Sequence, residues 1–83
     1  MKLLKFSASW CGPCKMLSMT IAGIKNEISY PIEEIDIDEN NDMAQKFSIR
    51  GVPTLVLVDN NNKEVKRKVG ALTAVELKTF LSV

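Results

Sequence analysis

Apolar and polar residues change period several times along the chain, and each change marks an element. Residues 2–7 (KLLKFS) form a short apolar run that predicts a strand. Across residues 11–28, Met16, Leu17, Ile21, Ile24 and Ile28 recur at helical spacing and predict an amphipathic helix, which Tyr30-Pro31 breaks. Residues 32–37 (IEEIDI) read as a second strand, and residues 40–48 as a short helix with Met43, Ala44 and Phe47 inward. Pro53 opens the β-rich run TLVLV. Residues 59–62 then turn the chain into a further strand, Glu64–Val69, where Val65, Arg67 and Val69 alternate with Glu64, Lys66 and Lys68. The last helix is announced by a capping box, Thr73-Ala74-Val75-Glu76, with Leu72 placed to staple onto Leu77. The order βαβαββα predicts an α/β fold with a four-stranded mixed sheet flanked by three helices. There is no repeat, linker or low-complexity tract beyond Asn60-Asn61-Asn62, so residues 1–83 read as a single domain.

Charge and composition narrow the function. A hydrophobic share of 46% and a formal net charge of +1 fit a globular protein, with no electrostatic reason to expect nucleic acid or an anionic membrane as partner. Lys66-Arg67-Lys68 is the only basic cluster; it is short, has no nearby aromatic, and reads as a solvated strand face. Lys5 interrupts the opening apolar run after two leucines, which is too short for a secretion signal, and no stretch approaches a membrane span. A small secreted domain usually carries several cysteines, whereas this chain has one close pair, Cys11 and Cys14. A cytoplasmic protein is expected, acting as a monomer, in which that pair performs chemistry.

Three uses of Cys11-Gly12-Pro13-Cys14 can be weighed. A zinc site takes about four ligands, and the chain offers no histidine and no second cysteine pair, which disfavours a metal. As a staple the bridge would enclose a very small loop and constrain little of the unfolded chain. A reversible disulfide suits the spacing. On a first helical turn, i and i+3 side chains have Cβ atoms about 5–6 Å apart, slightly wider than the roughly 3.5–4.5 Å of a disulfide, so a small tightening makes the bond. Cys11 falls at the helix start, where unpaired N–H groups and the helix dipole favour a thiolate, and is expected to be the accessible, attacking sulfur. Trp10 supplies a flat apolar flank for substrate. Pro13 is tolerated in the first turn and stiffens the loop. Cys14, one turn in and shielded, is the expected resolving thiol, with the cation Lys15 beside it.

Trp10-Cys11-Gly12-Pro13-Cys14-Lys15 resembles the active site of the thioredoxin family. The resemblance continues in Ile49-Arg50-Gly51-Val52-Pro53-Thr54, similar to the family's cis-proline loop, and in Lys68-Val69-Gly70-Ala71-Leu72, similar to its second substrate-contacting loop. With the βαβαββα order, the likeness spans essentially the whole chain. It implies a protein-disulfide reductase that uses Cys11 and Cys14, needs no cofactor, acts on disulfide-containing proteins, and takes electrons from a separate thioredoxin reductase or equivalent donor. It also implies that Pro53 is cis, that Val52 presents its backbone to an extended substrate segment, and that Gly51, Gly70 and Ala71 complete the groove with Trp10. A glutaredoxin-like reductase is the nearest rival, disfavoured because that motif usually carries Pro-Tyr between the cysteines. A binding subunit that uses the fold as a docking surface is the alternative from another class.

The departures from the family pattern are specific. The chain starts on the strand that leads into the motif, where ordinary thioredoxins have an extra strand and helix first; this leaves residues 32–37 as an edge strand, whose charges discourage edge-to-edge pairing. Met19 stands where the family often has a kinking proline, and Ser7 where an aromatic is frequent. Thioredoxins place an aspartate six residues before the first cysteine and a partner lysine on the next strand. Here those positions are Lys5 and Glu34. Either the pair is kept with its signs exchanged, Glu34 taking the proton-accepting role near Cys14, or both side chains reach solvent.

Overall fold

The computed structural model describes residues 1–82. In order the elements are β1 (Lys2–Ser7), α1 (Gly12–Ile24), a 3-10 turn (Lys25–Glu27), β2 (Ile32–Asp36), α2 (Asn41–Lys46), β3 (Thr54–Val58), β4 (Glu64–Val69) and α3 (Ala74–Leu81). The strands form one sheet in the order β2-β1-β3-β4, with β1 and β2 parallel and the other two pairs antiparallel. The inner strands β1 and β3 are covered on both faces, which is why KLLKFS and TLVLV read as nearly continuous apolar runs rather than as clean alternation.

Successive side chains of a strand point to opposite faces. On one face Leu3, Leu55 and Leu57 therefore pack with Leu17, Ile21 and Ile24 of α1 and with Leu77 and Leu81 of α3. On the other, Leu4, Phe6, Val56 and Val58 pack with Ile35 of β2 and with Phe47, just past α2. The sheet thus has a core on each side, and Lys5 falls on the α1 face where another apolar residue would be expected.

Three expectations are corrected. The first helix ends at Ile24 rather than running to residue 28. The chain tightens into the 3-10 turn, and Ile28 is already extended (φ −96°, ψ 119°) as the backbone approaches Tyr30-Pro31. Met16 is 65% exposed, because the buried stripe of α1 runs through Cys14, Leu17, Ile21 and Ile24, and Met16 lies about 100° away from Leu17 around the helix. Arg67 is not part of a merely solvated face. It donates to Glu64 and to the Phe47 carbonyl (2.6 Å each), tying outer strand β4 to the end of α2. Val65 and Val69, on the same face of β4, remain exposed.

At the start of α3 the capping box is complete: the Glu76 N–H donates to the Thr73 hydroxyl (3.2 Å) and the Thr73 N–H to the Glu76 carboxylate (3.0 Å). Thr73→Ala is expected to cost about 1 kcal/mol in a urea titration. The backbone N–H and then the hydroxyl of Thr73 hold the Glu76 carboxyl below the usual glutamate range. Since the folded value is the depressed one, this contribution is complete above the ordinary glutamate range and is lost as pH falls through the folded value. The stability gap between the wild type and Glu76→Gln should accordingly close on acidification.

Candidate active site

Strand register gathers the site at one end of the sheet. Ser7 is level with Asp36, Phe6 with Thr54, and Thr54 with Val69. The segments that follow β1, β2 and β4 therefore leave the sheet at the same end at which β3 begins. That brings together Trp10–Lys15 after β1, Asp38 after β2, Gly51–Pro53 before β3, and Gly70-Ala71 after β4. Lys5 and Glu34 are opposite each other on β1 and β2, two residues deeper.

Cys11 is the N-cap of α1, with extended backbone (φ −93°, ψ 108°), and Gly12 and Pro13 occupy the first two helical positions. Proline is tolerated there because the first turn's N–H groups have no helical partner. Cys11 and Cys14 form a disulfide with their Cα atoms 5.3 Å apart. The Cys14 N–H points at Cys11 Sγ, 3.1 Å away. One cysteine thus receives an orphan helix N–H and the other supplies it. The expected difference in exposure is absent: Cys11 is 4% and Cys14 2% exposed, because Ala8, Ile37 and Val52 pack around the pair. What distinguishes the two sulfurs is hydrogen bonding at the helix start.

The loops around the pair are fixed by short contacts. Trp10 is 67% exposed, and its indole N–H donates to Asp38 Oδ2 (3.0 Å), which pins the ring at the surface. The Val52–Pro53 bond is cis and Pro53 is buried. The Thr54 hydroxyl donates to the Gly51 carbonyl (2.7 Å), and the Gly70 N–H donates to the Pro53 carbonyl (2.8 Å), joining the two loops. Gly70 has φ +95°, a conformation that side chains rarely adopt, whereas a Cβ there would find no heavy atom of the described residues within 4 Å beyond its own chain neighbours.

Lys5 is buried, and its Nζ donates to Ser18 Oγ and to Glu34 Oε1 (3.2 Å). The Ser7 hydroxyl donates to the same carboxylate oxygen (3.2 Å). The two side chains are unequal: that of Lys5 is 3% exposed and that of Glu34 63%. Lys5, Glu34, Ser18, Lys15 and Cys14 all line one cleft of about 430 Å³.

A disulfide-bonded cysteine pair thus sits at a helix start at one end of a mixed sheet, packed against Val52 of a cis Val52–Pro53 bond. The Thioredoxin family profile matches residues 1–83. The chain belongs to the thioredoxin family. It is similar to the thioredoxin of Buchnera aphidicola subsp. Baizongia pistaciae, with 43% identity over 83 residues, covering 98% of this chain and 75% of that protein. The thioredoxin of Pseudomonas aeruginosa is 38% identical over 81 residues, covering 95% and 74%. Among solved structures, a mutant thioredoxin from Halobacterium salinarum NRC-1 superposes with a TM-score of 0.87 at 36% identity, covering 98% of this chain and 71% of that one. The thioredoxin from Nicotiana alata gives 0.86 at 38% identity, covering 98% and 70%. As a thioredoxin, the chain is a thiol–disulfide oxidoreductase with Cys11–Cys14 as its redox pair, and it fits the role of protein-disulfide reductase.

Sequence reasoning passed over three residues of this thioredoxin site. Ser18 lies one helical turn beyond Cys14 on the same face, a spacing that could have flagged it. Ser7 reads in the sequence as a missing aromatic, whereas its hydroxyl holds Glu34. Asp38 gave no local signal, because its meeting with Trp10 depends on the parallel pairing of β1 with β2.

Proposed function

We propose that the protein reduces disulfides of protein substrates whose extended segments lie across the groove of Trp10, Gly51, Val52, Pro53, Gly70 and Ala71, pairing with the Val52 backbone. The observation that carries this reading is the Cys14 N–H directed at Cys11 Sγ. A donor in that position favours the Cys11 thiolate and marks it as the attacking group. Cys11 thiolate attacks one substrate sulfur, the substrate S–S bond breaks, and the other sulfur leaves as a thiolate that takes a proton from water. Cys14 then attacks Cys11 Sγ, which frees the second substrate sulfur and closes the Cys11–Cys14 bond. Two electrons have passed to the substrate.

Those electrons return from a separate thioredoxin reductase or an equivalent dithiol donor. Gly12, Pro13 and Lys15 shape the helix start, and Lys5 and Glu34 support it from below. The reading places the chain in the reducing cytoplasm as a single-domain monomer. Among the described residues, no helix is long and apolar enough to cross a membrane. Reduction of insulin by dithiothreitol tests it. Wild type should accelerate the reaction and Cys11→Ser should fall to the rate of dithiothreitol alone, whereas equal rates for both would sink the proposal.

A further inference from the structure

We infer that Lys5 is a positioning residue for the second exchange, its ammonium holding Cys14 as a thiolate ready to attack the mixed disulfide. The inference rests on the disulfide-reductase reading above. Lys5 is the only buried charged residue among the described residues, and the chemistry so far does not use it.

The geometry points to Cys14. Lys5 reaches across from β1 to donate to the Ser18 hydroxyl on α1. Ser18 is four residues after Cys14, so the two side chains are neighbours on one helix face, with Cβ atoms about 5–6 Å apart. The ammonium bound to Ser18 is thereby held on the helix face that carries Cys14, and Lys5, Ser18 and Cys14 all line the same cleft of about 430 Å³.

The other charges around that cleft come from every side: Lys15 from α1, Glu34 and Asp36 from β2, and Glu39 from the segment beyond β2. Each of these is at least partly exposed, so water screens it, whereas Lys5 is enclosed. Burial by itself favours the neutral thiol, while an opposite charge within about 4–6 Å favours the thiolate. Lys5 offsets the burial of Cys14. Glu34 anchors the lysine from the solvent side, so the charge turned toward Cys14 is positive, and the work expected of a proton-accepting Glu34 passes to Lys5.

The second exchange then balances without removing a proton from Cys14 during the step. The thiolate gives an electron pair to Cys11 Sγ, the bond from Cys11 to the substrate sulfur breaks, and that sulfur leaves as a thiolate that takes a proton from water.

In reduced Cys11→Ser protein Cys14 is the only thiol, and its ultraviolet thiolate absorbance can be followed against pH. The expected midpoint is at or below the free-cysteine value of about 8.5. Adding Lys5→Gln, which keeps a hydrogen-bond donor without the charge, should raise the midpoint by about 1–3 pH units. Lys5→Arg should restore it, and Glu34→Gln should leave it unchanged or lower it slightly. A parent midpoint well above 8.5, or one that Lys5→Gln does not move, overturns the assignment. If Lys5→Gln fails to fold, the parent titration decides alone. Insulin reduction by the wild type separates the two claims: activity with a high Cys14 midpoint overturns only the role of Lys5, and a low midpoint without activity overturns only the reductase reading.

Discussion

Replacing Cys14 by serine is expected to stop turnover while leaving the first exchange intact, so that a mixed disulfide between Cys11 and the substrate accumulates. The helix start dictates this order. Cys11 is the N-cap and its sulfur receives the Cys14 N–H at 3.1 Å, while Cys14 lies within the first turn, on the side of the Ser18 hydroxyl and the Lys5 ammonium. Exposure cannot decide between the two sulfurs, since both are almost fully buried in the disulfide. With Cys14→Ser, Cys11 attacks but nothing displaces the substrate, and insulin reduction falls to the uncatalysed rate. With Cys11→Ser, neither turnover nor adduct should appear. Non-reducing gels of each variant mixed with a disulfide-containing protein make the comparison. An adduct that forms on Cys11→Ser and not on Cys14→Ser would reverse the roles.

The parts of the molecule legible in the sequence are those fixed by local periodicity. Lys2–Ser7, Thr54–Val58 and Glu64–Val69 are strands at the positions that their patterns indicate, and the Thr73–Glu76 capping box opens α3 where its spacing places it. The end of α1 is hidden in the sequence because Ile28 continues the apolar rhythm after the backbone has already turned toward Tyr30-Pro31, and rhythm alone does not show that a residue packs from a turn. The exposure of Met16 is hidden too, because apolar character marks a helix without saying which of two adjacent apolar residues faces the sheet.

The site divides in the same way. The cysteine pair is local, and so is its position at a helix start. The partners are not. Trp10 meets Asp38 and Lys5 meets both Glu34 and Ser18 only because β1 pairs in parallel with β2 and α1 crosses one face of the sheet. The position of Lys5 opposite Glu34 follows from strand alternation and register. Their unequal burial does not, because it depends on β2 being an outer strand while β1 is inner.

The largest expected loss of stability comes from Phe6→Ala. Phe6 is fully buried on the central strand β1, facing away from the cysteine pair toward the α2 side of the sheet. Its ring meets that of Phe47 at 5.7 Å between centroids and a 54° tilt, within a cluster completed by Leu4, Ile35, Val56 and Val58. Truncating a buried phenylalanine costs about 3–5 kcal/mol, since the transfer energy is lost and inner strands held on both sides cannot collapse into the space. At roughly 0.05–0.15 kcal/mol per residue, a chain of this length has only about 4–12 kcal/mol of stability in all. The substitution therefore removes about a quarter or more of it, and at the lower end of that range leaves the chain unfolded. Urea denaturation of the oxidised protein should show a midpoint displaced far toward zero denaturant with an unchanged slope. Because Phe6 lies on the opposite face of the sheet from Lys5 and Ser18, whatever fraction stays folded should reduce insulin at the wild-type rate per folded molecule. A loss of less than about 1 kcal/mol would mean that Phe47 and α2 do not close this face as tightly as α1 and α3 close the other.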